Sequence, residues 1–146
     1  MHITTPASAA EWDAYYQLRY AVLRQPWQQP LGSERADDDL APTTTHALIL
    51  APDTRAAVAV GRLHPSGAGQ GQLRFMAVHP QWQGKGLGRA VLLHLEAAAR
   101  AQGLQELVLH ARAEAVPFYQ RLGYEVVAPS HLLFGTILHF LMRRAL

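Results

Sequence analysis

The chain has 146 residues, 49% of them hydrophobic and 16% charged, with a formal net charge of +2. That length and composition suit one globular domain with a core that needs no staples, and exclude a disordered or fibrous chain. It has no cysteine, which excludes disulfides, thiolate catalysis and cysteine-ligated zinc.

The sequence pI of about 9.3 overstates how basic the chain is. Lys85 is the single lysine among 13 cationic residues, and arginine does not titrate near neutrality. No Lys/Arg run marks a nucleic-acid surface, so no nucleic-acid partner is expected, while a mild positive bias suits an anionic cofactor. The first ten residues lack the basic-then-apolar pattern of a secretory signal, and no stretch approaches the roughly 18 apolar residues of a membrane span. A soluble, cytoplasmic chain with no membrane partner is the expectation.

Residues 2–5 read as a short first strand. Ser8 and Glu11 form a capping box ahead of a helix over 9–24, which Pro26 and Pro30 end. Residues 25–45 are polar, carry the acidic run Asp37-Asp38-Asp39, and read as a long loop with a helical turn near Glu34; a loop of that length often serves function. Strands follow over 46–51, 56–63 and 72–78, closed in turn by Pro52-Asp53, His64-Pro65 and His79-Pro80. Residues 66–71 read as a loose hairpin connection, so the first half is an antiparallel meander.

The pattern then changes. Residues 88–102 place Val91, Leu92, Leu95, Ala98 and Ala99 on one helical face, with Gly103 as the stop. A strand over 107–110, a helix over 114–122 stopped by Gly123, a strand over 124–127, a loop, and a last strand over 136–142 complete a mixed α/β sheet. No repeat, low-complexity tract or linker divides the chain, so residues 1–146 read as a single domain.

The informative stretch joins the 72–78 strand to the following helix. Gln83-Gly84-Lys85-Gly86-Leu87-Gly88-Arg89 puts three glycines in five residues directly before a helix start. A helix N-terminus offers unpaired N–H groups and a positive dipole end, and missing side chains let phosphate oxygens approach them. Lys85 and Arg89 add charge, so the turn predicts a phosphate or pyrophosphate site. It is not a P-loop, because Gly86 follows Lys85 where Ser or Thr is needed, and Arg89 and Val91 break the Rossmann glycine spacing. The alternative is a turn that only connects strand to helix.

The run from Val78 to Gly88 resembles the acetyl-CoA motif of the GNAT acetyltransferase superfamily, Gln/Arg-x-x-Gly-x-Gly/Ala, filled here by Gln83, Gly86 and Gly88. Residues 107–127, with Phe118-Tyr119-Gln120-Arg121-Leu122-Gly123-Tyr124, resemble the family's next strand, helix and strand. Leu18-Arg19 and the Asp37–Asp39 region are similar to a small subgroup of uncharacterised bacterial members. The resemblance implies a mixed, mostly antiparallel central sheet flanked by helices, the acyl-CoA N-acyltransferase fold. It implies an enzyme that uses acetyl-CoA to acetylate a primary amine of a small molecule or peptide; separately, the eight histidines include no HExxH or close pair on one helical face, so no metal is expected. A non-catalytic CoA-binding module, used for sensing or assembly, is the alternative.

Residue by residue, the resemblance implies that the backbone of Met76, Ala77 and Val78 pairs with the pantetheine arm. The N–H groups of Gln83, Gly84, Lys85, Gly86, Leu87, Gly88 and Arg89 hold the pyrophosphate, and Tyr119 protonates the departing thiolate. Many members have asparagine where Arg112 stands; the arginine either reaches a CoA phosphate or lies solvated. No residue announces itself as the base that deprotonates the amine. His139, on the last strand, and His110, before the Tyr119 helix, are candidates, each with a merely hydrogen-bonded or solvated histidine as the alternative. Glu34 and the run Asp37–Asp39, with Asp38 at its centre, sit in the loop that often covers the acceptor, where a carboxylate would bind a cationic amine; the alternative is a merely solvated loop. Pairing of final strands into a homodimer is common in the family.

Overall fold

The computed structural model describes residues 2–146; Met1 lies outside the described residues. The strands are β1 (Ile3–Thr4), β2 (Thr45–Leu50), β3 (Ala57–Gly67), β4 (Gln70–Val78), β5 (Glu106–Arg112), β6 (Glu125–Leu133) and β7 (Ile137–Ala145). The helices are α1 (Ala9–Leu23), α2 (Leu87–Ala101) and α3 (Val116–Arg121). The expected capping box starts α1: Glu11 N–H donates to Ser8 Oγ at 3.1 Å while Ser8 N–H donates to Glu11 Oε1 at 3.3 Å. Two orphan amides of the first turn are thereby satisfied.

The strands form one seven-stranded sheet in the order β1-β2-β3-β4-β5-β7-β6. Every pairing is antiparallel except β4 with β5. The first half is the meander expected, and the mixed α/β reading holds. Side chains alternate across the sheet, so Ala47 and Ile49 join the core beneath α2 while Leu48 packs with Tyr15 and Leu18 of α1 on the other face. Val91, Leu92, Leu95 and Ala99 bring the apolar stripe of α2 onto that first core; each fully buried leucine contributes roughly 1.5–3 kcal/mol. Gly61 permits this close approach. A Cβ there would stand 2.6 Å from Met76 Sδ and 2.7 Å from Val91 Cγ1.

Several strand ends differ from the sequence reading: β4 begins at Gln70, β5 reaches Arg112 and β7 runs to Ala145, and β3 and β6 extend furthest beyond it. β3 continues through His64-Pro65 to Gly67, and a two-residue turn at Ala68 and Gly69 replaces the loose connection over 66–71. Pro65 is tolerated because the register slips between it and Gly67, so the missing N–H breaks no regular ladder. β6 runs to Leu133 where a loop was expected. Its residues 128–133 lack alternation and are held only by β7, with a second register slip at Pro129. In the long loop, the helical turn is a 3-10 turn at Gln25–Trp27 rather than one near Glu34.

β4 and β5 pair over only Gln70–Gln72 and Glu106–Val108. Beyond those residues the two strands part, and the polar groups on the β5-facing edge of β4 have no ladder partner. β4 also carries a bulge: between the pairs Val60↔Ala77 and Arg62↔Arg74, Gly61 stands opposite both Phe75 and Met76. Phe75 takes φ +56, a left-handed conformation rare for an aromatic residue. The parting and the bulge together open the middle of the sheet.

Candidate active site

Two cavities lie where β4 and β5 separate. The first, about 470 Å³, is lined by Met76, Ala77 and Val78, by Gln83, Gly84, Gly86, Leu87, Gly88 and Arg89 of the glycine turn but not Lys85, and by Phe118 and Tyr119 of α3. The second, about 370 Å³, lies on the other side of the same opening and includes Phe75, His110 and His139. Met76, Arg112, Ala115 and Tyr119 line both, so the cavities share one wall.

The turn has the conformation that its glycines allow. Gly84 and Gly86 adopt φ +76 and +78, and a Cβ at either would meet open space. Their backbone rather than crowding therefore selects glycine. Gly86 is the N-cap of α2 and no side chain caps it. Ala90 N–H makes the first helical bond, to Gly86 O at 3.0 Å, so the N–H groups of Leu87, Gly88 and Arg89 have no intrahelical acceptor. Left-handed glycines on either side of Lys85, ahead of a bare helix start, form an anion-binding concavity. Lys85 and Arg89 are exposed beside it.

Tyr119 is 7% exposed, and burial pushes its phenol up to about 12, against a lowering by Arg112. It is therefore protonated at pH 7, and its hydroxyl has no hydrogen-bond partner among the described residues. Arg112 makes only a 3.7 Å ion pair with Glu114 and stands 5.8 Å from the Trp27 ring.

His139 is buried on β7, with Nδ1 2.9 Å from Ile137 O. A carbonyl only accepts, so Nδ1 carries the proton of the neutral ring and the lone pair resides on Nε2. Burial lowers the His139 pKa, assisted by His131 and Arg112 and opposed by the Ile137 carbonyl. The ring stacks on His131 at 4.5 Å, and His131 lies 5.2 Å from His110. Among the described residues no group of three metal-ligating side chains is placed to hold an ion.

Glu34 and Asp38 line neither cavity. Glu34 is buried within its loop, with Oε1 accepting from Gly32 N–H at 2.7 Å and Oε2 from Arg35 at 3.2 Å. Asp38 is held by Arg62 at 2.6 Å. Its neighbour Asp39 is the more deeply engaged: it accepts from Tyr16, Arg19, Arg62 and the Ala36 N–H. Burial alone would raise the Asp39 pKa, but the Ala36 N–H and the two guanidiniums hold it down at about 2. The acidic loop is thus fixed to α1 and β3 by buried charge. The sequence reading missed Arg24, Arg74 and His131, which line the second cavity, because no motif links them and only the parting of the strands brings them together.

The model of the acetyltransferase (GNAT) family matches residues 12–124, more than half of the chain. The chain belongs to the GNAT acetyltransferase family. Its relatives include the uncharacterised N-acetyltransferase YjcF of Bacillus subtilis (strain 168), 28% identical over 132 residues, or 90% of each chain. The crystal structure of an acyl-CoA N-acyltransferase from Pseudomonas aeruginosa matches with a TM-score of 0.82 at 26% identity, over 99% of this chain and 97% of that one. An aminoglycoside 6'-N-acetyltransferase crystallised with coenzyme A matches with a TM-score of 0.82 over 99% and 97% of the two chains. At 15% identity that likeness speaks for the fold. GNAT enzymes use acyl-CoA, and the activity that goes with this membership is N-acetyl transfer.

Proposed function

We propose that this GNAT chain, as a single domain, binds acetyl-CoA in the first cavity and acetylates a primary amine of a small molecule or peptide that enters through the second. The observation that carries the reading is the shared wall: Tyr119, an unpartnered and protonated phenol, faces both cavities. The unpaired β4 edge at Met76, Ala77 and Val78 offers backbone partners to an amide-bearing arm, in the manner of strand addition. The N–H groups from Gln83 to Arg89, with Lys85 and Arg89 nearby, suit a pyrophosphate. Coenzyme A in the aminoglycoside enzyme, which shares the fold, supports the choice of carrier.

Bound acetyl-CoA supplies an activated thioester. Neutral His139 would accept a proton from the acceptor ammonium at Nε2, which frees the amine to attack the carbonyl carbon. As the C–N bond forms and the C–S bond breaks, the Tyr119 hydroxyl would give its proton to the departing sulfur, while the nitrogen sheds its surplus proton to become the amide and a proton from solvent restores the phenol. Holding both reactants against one wall makes proximity a main contribution to rate.

The test is isothermal titration of acetyl-CoA into the wild type and Gly86→Glu. The wild type should bind with micromolar affinity, about 8 kcal/mol. The variant should fail, since its carboxylate occupies the anion's place. A folded wild type that binds no acetyl-CoA would remove the basis of this reading.

A further inference from the structure

Four guanidiniums surround the Phe75 ring. Those of Arg19, Arg24, Arg62 and Arg74 lie 4.0, 5.6, 5.8 and 4.7 Å from its centroid. Arg19 and Arg62 are fully buried and bound to Asp39, with Asp38 also on Arg62. Arg24 and Arg74 make no salt bridge among the described residues.

Arg24 and Arg74 line the second cavity and not the first. Arg112, His110, His131 and His139 stand around them, and no aspartate or glutamate is in that lining. The carboxylates that act on them are committed elsewhere: Asp38 and Asp39 to Arg62 and Arg19, and Glu34 to the Gly32 N–H and Arg35. Arg24 is oriented by bonds from Nε to Ser33 O at 3.1 Å and from Nη1 to Leu23 O at 3.0 Å. Its Nη2 and the whole Arg74 head make no hydrogen bond among the described residues. Partial burial, then neighbouring arginines, lowers the pKa of each, opposed by Glu34 at Arg24 and by Asp38 and Asp39 at Arg74.

We propose that the second cavity selects an amine bearing an anionic group, a carboxylate or a phosphate, which Arg24 and Arg74 hold while the amine faces His139 and Tyr119. This rests on the acetyltransferase reading above. Guanidinium forks match the geometry of both anions, and their charge-assisted bonds are the strong ones. The same positive field disfavours the ammonium form of the acceptor, so it aids deprotonation where the base stands. It also rejects polyamines, which would add cations to an uncompensated cluster. A volume of about 370 Å³ fits a small molecule or the end of a peptide.

Isothermal titration on the full chain saturated with coenzyme A tests this with 3-aminopropylphosphonate, β-alanine, n-propylamine and spermidine. At least one anionic amine should bind about tenfold or more tightly than n-propylamine, a difference of about 1.4 kcal/mol, and spermidine no more tightly than n-propylamine. The better anion tells a phosphate-bearing acceptor from a carboxylate-bearing one. Arg74→Gln and Arg24→Gln should each erase most of that ratio while the acetyl-CoA Kd stays within about twofold, because neither residue lines the first cavity. Equal binding of the charged and neutral amines, tighter binding of spermidine, or no detectable binding of either anion at millimolar concentration overturns the proposal and leaves acetyl-CoA binding untouched. Loss of acetyl-CoA binding in the wild type overturns the acetyltransferase reading instead, and this one with it.

Discussion

The arginines around Phe75 form two sets that differ in their carboxylates. Arg19 and Arg62 are buried on Asp39 and bind the 28–44 loop to α1 and β3. Arg24 and Arg74, beside the same ring, face a cavity with no acid in its lining. Burying a guanidinium is costly unless a partner and further hydrogen bonds compensate it. The first set meets that condition except at Arg19 Nε and Arg62 Nε, which have no partner among the described residues. The second set is left open toward a space that a substrate can enter. Charge that satisfies itself reads as architecture; charge that does not reads as a site.

Asp39→Ala should break the first set most severely. Removing one partner of a buried cluster costs about 3–5 kcal/mol, and chemical denaturation would measure it. Acid should approach the same result. Because the folded Asp39 pKa lies near 2 against an ordinary 3.8, its contribution is present above about pH 4 and lost as pH falls toward 2. A urea midpoint that stays flat across that window would separate Asp39 from the fold's stability.

Tyr119→Phe should leave both arginine sets intact and remove only the proton donor. The expected loss in kcat is about 10²-fold, roughly 2.7 kcal/mol, with little change in acetyl-CoA affinity. Gly61→Ala tests the sheet between the sets. Its Cβ would press on Met76 and Val91, at an overpacking cost of about 1–3 kcal/mol seen in the melting temperature. The smallest effect belongs to Arg74→Gln, which should change stability by less than about 0.5 kcal/mol because the exposed side chain touches the Phe75 ring but makes no ion pair or hydrogen bond among the described residues. A large destabilisation there would place Arg74 with the structural set.

Much of the fold was legible locally. Ser8 with Glu11, the α2 stripe stopped at Gly103 and the glycine turn each carry their signal within a few residues. β6 beyond Val127 was not, because residues 128–133 are strand only through β7. The same reason hid the fate of the acidic run. As sequence, Glu34 and Asp38 look like ligands for a cationic amine; the arginines that neutralise Asp38 and Asp39 come from α1 and β3, more than a dozen residues away. Arg24, Arg74 and the three histidines of the second cavity sit on separate elements, and no spacing rule joins them. The glycine turn was visible because one contiguous segment carries it whole.

The short parallel contact between β4 and β5 has a thermodynamic consequence. Only Gln70–Gln72 and Glu106–Val108 join the two halves of the sheet, so the amides beyond that seam should exchange with solvent sooner than those of β2 and β3. An acyl-CoA laid along the free edge of β4 would serve as the missing strand and tie the halves together. The stability of the molecule would then be set partly by its ligand, gaining about 2.7 kcal/mol at a hundredfold excess of acetyl-CoA over its Kd.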